Sequence, residues 1–123
     1  MKSHLSDGEW ILMKTLWGNA PMTITQLTAA MKETTGWSKH TIISMLSRLE
    51  AKGSVRHESN GRAKLFFPML QQEDAMRREA SRFLEKVFDG QLGVMLNTMM
   101  NSRQLTEEEL KELSEIFEKT KEE

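Results

Sequence analysis

Between Trp37 and Gly53 the sequence sets His40, Thr41, Ser44, Ser47 and Arg48 at helical spacing along one side of a segment, with no carboxylate before Glu50. Hydroxyl, imidazole and guanidinium groups grouped in this way suit hydrogen-bond recognition. They are short or planar donors and acceptors able to approach the edges of base pairs. The absence of negative charge matters because phosphates flank any groove such a face could enter. Ile43 is the one ambiguous outward position, suited either to a thymine methyl group or to a protein surface. A second cationic group, Arg56, Arg62 and Lys64, suits phosphate contact, which adds affinity but little sequence discrimination.

Other chemistries have little to work with. The chain has no Cys, which excludes disulfides, thiolate metal sites and cysteine nucleophiles and fits a reducing cytoplasm. His4, His40 and His57 fall on separate elements, without the spacing of a zinc site or a metalloprotease helix. Glu107, Glu108 and Glu109 suit the first turn of a helix, where the macrodipole favours negative charge. The expectation is therefore no enzyme, no cofactor and no metal. Asp7 and Glu9 precede any apolar stretch, and no apolar run reaches the ~20 residues of a membrane span, so a cytoplasmic chain without membrane contact is expected.

The elements that must hold these groups are marked by caps and turns. Ser6-Asp7-Gly8-Glu9 and Thr23-Ile24-Thr25-Gln26 are capping boxes opening two helices. The first carries a Trp10, Met13 and Trp17 stripe and ends at Gly18-Asn19-Ala20-Pro21. The second runs to about Met31 with Leu27, Ala30 and Met31 as its apolar face. Ser38 caps a third helix, anchored through Ile42, Met45, Leu46 and Leu49 and closed by Gly53. The period then changes to two, with runs at 55–58 and 63–67 about Ser59-Asn60-Gly61-Arg62. Asn-Gly as the central pair, both at φ > 0, predicts a hairpin that Pro68 ends. Three helices followed by a hairpin is the order of a winged helix-turn-helix, whose third helix lies in the major groove.

Residues 1–70 carry a net charge of +4 and residues 71–123 a net −5, which suggests a module facing a polyanion joined to an assembly module. Helices are expected from about Gln71, around Leu92–Met99, and after a third capping box at Thr106–Glu109. They carry apolar stripes too extensive for some 53 residues to cover alone. The fold class is therefore mainly α: a winged helix-turn-helix DNA-binding domain over 1–70 and a helical dimerisation region over 71–123. Met76, Phe83, Leu84, Val87, Phe88, Leu92 and Met95 are the expected contacts of a two-fold homodimer. Such a dimer presents two reading helices to double-stranded DNA and calls for a near-palindromic site. The alternative is a winged helix that binds protein without reading DNA sequence.

Ser6-Asp7-Gly8-Glu9-Trp10, Met13-Lys14 and Trp17 resemble the opening of the penicillinase and methicillin-resistance repressors, the BlaI/MecI family. Trp37-Ser38-Lys39-His40-Thr41-Ile42 with Arg48-Leu49 and Lys52-Gly53 resembles its recognition helix, and Phe83-Leu84 with Phe88-Asp89-Gly90 its dimerisation segment. The resemblance spans essentially the whole chain. It implies a homodimeric transcriptional repressor acting on inverted-repeat operators of antibiotic-resistance or related genes. Taken with the outward face and the wing cations read above, the expected DNA-contacting set is Trp37, Ser38, Lys39, His40, Thr41, Ser44, Arg48, Arg62 and Lys64. In that set the resemblance implies that Trp37 and Ser38 fix the helix N-terminus against the phosphate backbone and that Thr41 and Ser44 read bases. His40 stands where the family usually has Lys, and Ile43 where some members have a basic residue. Family repressors are released when a regulatory protease system cuts an Asn-Phe bond, and the corresponding pair here is Thr98-Met99. A copper-responsive branch uses C-terminal cysteines, which this chain lacks.

Overall fold

Reciprocal caps start the first two helices. In the computed structural model, which describes residues 4–121, Ser6 Oγ accepts from the Glu9 N–H at 3.2 Å and Glu9 Oε1 from the Ser6 N–H at 2.8 Å. This opens α1 (Asp7–Asn19). Thr23 and Gln26 repeat the arrangement at 3.1 and 2.9 Å and open α2 (Ile24–Lys32). Each box satisfies two backbone donors that a bare helix end leaves unpaired. Ser38 Oγ accepts from the Thr41 N–H at 3.2 Å and opens α3 (Lys39–Ala51).

Strands β1 (Val55–Asn60) and β2 (Ala63–Pro68) pair antiparallel, with Val55 opposite Pro68 and Asn60 opposite Ala63. β1 thus runs two residues and β2 one residue beyond the runs read from the sequence, and the central pair of the turn is Gly61-Arg62 instead of Asn60-Gly61. Gly61 takes φ +66° while Arg62 stays out of the left-handed region. Glycine first is the requirement of the II′ family of hairpin turns. The segment before α2 joins the edge of β2, where Met22 and Phe66 exchange backbone hydrogen bonds of 3.2 and 2.8 Å.

The core draws on all of these elements: Leu12, Met13 and Leu16 from α1, Leu27 and Met31 from α2, Ile42, Met45, Leu46 and Leu49 from α3, and Val55 and Phe66 from the hairpin. On α1 the buried stripe is Leu12-Met13-Leu16, and Trp10 and Trp17 sit half-buried at its rim in an edge-to-face pair 5.8 Å apart. The rim position leaves the Trp17 Nε1–H free to donate to the Leu70 carbonyl at 2.8 Å. Ala30, expected on the buried face of α2, is exposed.

Three further helices follow: α4 (Gln72–Phe88), α5 (Leu92–Ser102) and α6 (Glu107–Lys121). The chain divides into two compact units, the first ending at Ala80 and the second beginning at Ser81. The opening turns of α4 belong with the winged helix because Ala75 is part of its core. α4 ends with Asp89 at φ +51° and Gly90 at φ +79°, and the Gly90 N–H donates to the Leu84 carbonyl at 3.0 Å. Thr106 and Glu109 form the third reciprocal cap at 3.1 and 3.0 Å. The Thr106 N–H and the Arg103 guanidinium hold the Glu109 carboxyl below its ordinary range.

Candidate nucleic-acid interface

α3 is divided cleanly by what it buries. Ile42, Met45, Leu46 and Leu49 are at most 5% exposed, and burial of each stabilises the fold by roughly 1.5–3 kcal/mol. Lys39, His40, Ile43, Ser44, Ser47 and Arg48 are all exposed. The outward side therefore carries three groups that are cationic or can become so, together with two hydroxyls, one aliphatic side chain and no carboxylate. Thr41 lies at the edge of this side, half-buried, with its Oγ1 3.2 Å from Ser38 Oγ. Trp37 is half-buried and packs against the core. A methyl at Gly8 would stand 3.6 Å from the Trp37 ring and 2.8 Å from Met45 Cε, so glycine permits the first turn of α1 to approach α3 closely.

Two polar links fix the C-terminal end of α3. Glu9 is 2% exposed, and its Oε1 lies 2.5 Å from Lys52 Nζ, joining α1 to the C-cap of α3. Burial alone would raise the Glu9 pKa. The Lys52 hydrogen bond, the Ser6 backbone N–H and the Lys52 charge outweigh it and hold the carboxyl below its ordinary value. Glu50, the acidic residue of α3, has its Oε2 2.6 Å from His57 Nδ1 on β1, and the His57 ring lies 5.5 Å from that of Phe66. Neither pair had a local sequence signal, because each joins residues from different elements. The Glu9 cap was legible, but its burial was not.

On the hairpin, Arg62 and Lys64 are exposed at and beside the turn. Arg56 is engaged within the protein: its guanidinium lies 2.5 Å from Glu58 and stacks 4.2 Å from the centre of the Phe67 ring. The structure thus gathers Ser38, Lys39, His40, Thr41, Ser44 and Arg48 on one helix, with Arg62 and Lys64 on the wing of the same unit.

The residues expected to mediate assembly lie on α4 and α5. Met76 belongs to the first unit and is 55% exposed. Phe83, Val87 and Leu92 are exposed, while Leu84, Phe88 and Met95 are half-buried. Phe83 and Phe88 meet edge-to-face at 5.8 Å. Among the described residues α5 and α6 bury no side chain fully, and a groove of about 430 Å³ between them is lined by Leu96, Met99, Met100, Leu105 and Leu113. Thr98 and Met99 are both exposed within α5. No helix among the described residues is long and apolar enough to cross a membrane.

Comparison with known proteins agrees with this architecture. The penicillinase repressor of Bacillus licheniformis is 31% identical over 118 residues, covering 96% of this chain and 92% of its own length. The methicillin resistance regulatory protein MecI of Staphylococcus aureus is 21% identical over 116 residues, 94% of each chain. Among solved structures, the DNA-binding domain of the repressor BlaI superimposes with a TM-score of 0.54 at 32% identity, over 60% of this chain and 93% of that one. The monomeric form of Bacillus licheniformis BlaI, solved in complex with the blaP half-operator, gives a TM-score of 0.52 with the same identity and coverage. Residues 5–119 match the profile of the penicillinase repressors, and the chain belongs to that family of transcriptional regulators.

Proposed function

We propose that this chain is a homodimeric transcriptional repressor that occupies a near-palindromic operator and thereby excludes polymerase. α3 enters the major groove, with Ser44 and Thr41 at base edges. Lys39, His40 and Arg48 face bases or the flanking phosphates, and Ser38 and Trp37 set the start of the helix against the backbone. Arg62 and Lys64 place the wing on phosphates. The observation that carries this reading is the outward side of α3, which is free of carboxylate and lies in the unit that matches a relative solved on its half-operator. Within residues 71–123, the second unit from Ser81 onward supplies the dimerisation surface, because it leaves Phe83, Val87, Leu92, Met99, Ile116 and Phe117 each more than 40% exposed. That much uncovered hydrocarbon marks an interface. A cytoplasmic protein without enzymatic activity fits the same reading.

The test is a titration of the purified protein against the duplex it protects upstream of its own gene and against a scrambled duplex, at low and moderate salt. Operator repression predicts preferential binding to the protected duplex and a steep loss of affinity as salt rises, because bound counterions are released from the phosphates. Equal and salt-insensitive binding to both duplexes would defeat it and favour a protein-binding winged helix.

A further inference from the structure

The outward side of α3 contains one residue that can neither donate nor accept a hydrogen bond. Ile43 is 43% exposed, although the helix already fills its core contacts with Ile42, Met45, Leu46 and Leu49. Of its helical neighbours one turn away, Lys39, His40 and Ser47 are exposed and polar, and Leu46 is buried in the core. Ile43 is therefore a single branched hydrocarbon set among hydrogen-bonding groups, not the edge of an apolar patch of the size a protein partner would need. It also lies in the half of the helix nearest its N-terminus, the part of a reading helix that reaches base edges.

We infer that Ile43 is a specificity-determining residue that packs against the C5-methyl group of a thymine in each operator half-site. Among the base-pair features displayed in the major groove, the thymine methyl is the apolar one. A cytosine at that step carries a hydrogen in place of the methyl, so the apolar contact with Ile43 would be lost. The residue thus selects thymine through contact with its methyl group. This inference rests on the operator reading proposed above.

The experiment uses the full-length protein and a duplex it selects from a randomised pool. Each thymine of the selected half-site is replaced in turn by deoxyuridine, which removes one methyl group and leaves every hydrogen-bonding edge intact. One position per half-site is expected to weaken wild-type binding about three- to tenfold, the scale of one buried methyl group. In Ile43→Ala that same replacement should have no effect, because the shortened side chain no longer reaches the methyl. Alanine at an exposed helical position favours the helix, so the variant should fold. Selective binding with no deoxyuridine-sensitive position, or with a sensitivity that persists in Ile43→Ala, overturns the role of Ile43 and leaves the operator reading intact. Failure to select any sequence from the pool overturns both.

Discussion

Ser44 and Arg62 are both exposed polar residues of the winged-helix unit, yet they should behave differently when removed. Ser44 stands on the outward side of α3, and Ser44→Ala should weaken binding to the matched operator by about 1–3 kcal/mol while barely changing binding to scrambled DNA. Equal losses on the two duplexes would remove it from base reading. Arg62→Ala or Lys64→Ala should weaken both duplexes alike and lower the slope of log K against log salt by about one each. Glu9 and Lys52 act on the fold itself. Lys52→Ala leaves the buried Glu9 carboxylate without its cation and should destabilise the protein by about 1–3 kcal/mol in urea melts. The folded-state pKa of Glu9 lies below the ordinary 4.5, so its contribution is complete above that value and disappears as pH falls through the lowered one. Stability should therefore drop on acidification through and below the ordinary value, and Glu9→Gln should make that drop shallower. An unchanged acid slope in Glu9→Gln would show that other carboxylates control it.

At the scale of elements, helix starts were the most readable part of the sequence, because a capping box is written within four residues. Ser6-Glu9, Thr23-Gln26 and Thr106-Glu109 each form the reciprocal bonds their spacing implied. The hairpin was readable as an element but not in its register. Asn-Gly is the commoner central pair, and only the pairing of Asn60 with Ala63 shifts the turn onto Gly61-Arg62. The buried stripe of α1 departs from its tryptophan spacing for a related reason. Tryptophan is apolar enough to suggest burial, but its N–H needs a partner, and Trp17 finds one at the rim, in the Leu70 carbonyl. On the candidate interface, the outward residues of α3 were legible from periodicity. The engagement of Arg56 with Glu58 and Phe67 was not, because it depends on which side of the hairpin each residue faces. The turn itself yields a prediction. Gly61 sits at φ +66°, where a side chain costs about 1–2 kcal/mol. Gly61→Val should lower the melting temperature and weaken binding to matched and scrambled DNA together, since it disturbs the wing and not the reading helix. A selective loss on matched DNA would place the tip among the base-reading groups.

The molecule as a whole divides its charge, and its second unit leaves uncovered the hydrocarbon that a second copy is proposed to cover. Phe83 is 42% exposed on α4 and meets Phe88 edge-to-face. Phe83→Asp should give monomers in sedimentation velocity, with a matching loss of affinity for the full palindrome but little loss for a single half-site. A dimer that persists would exclude Phe83 as an anchor. The partition of α3 has a further consequence for how such a protein can diverge. The side chains that hold this helix in the core and those that face outward occupy different positions without overlap, so one set can be rewritten while the other stays fixed. His40, Ile43, Ser44 and Ser47 can be exchanged without opening a cavity, and new binding addresses are reachable by surface substitutions on an unchanged chassis. Libraries randomised at these four codons should yield mostly folded proteins, and drift among related regulators would follow the same route.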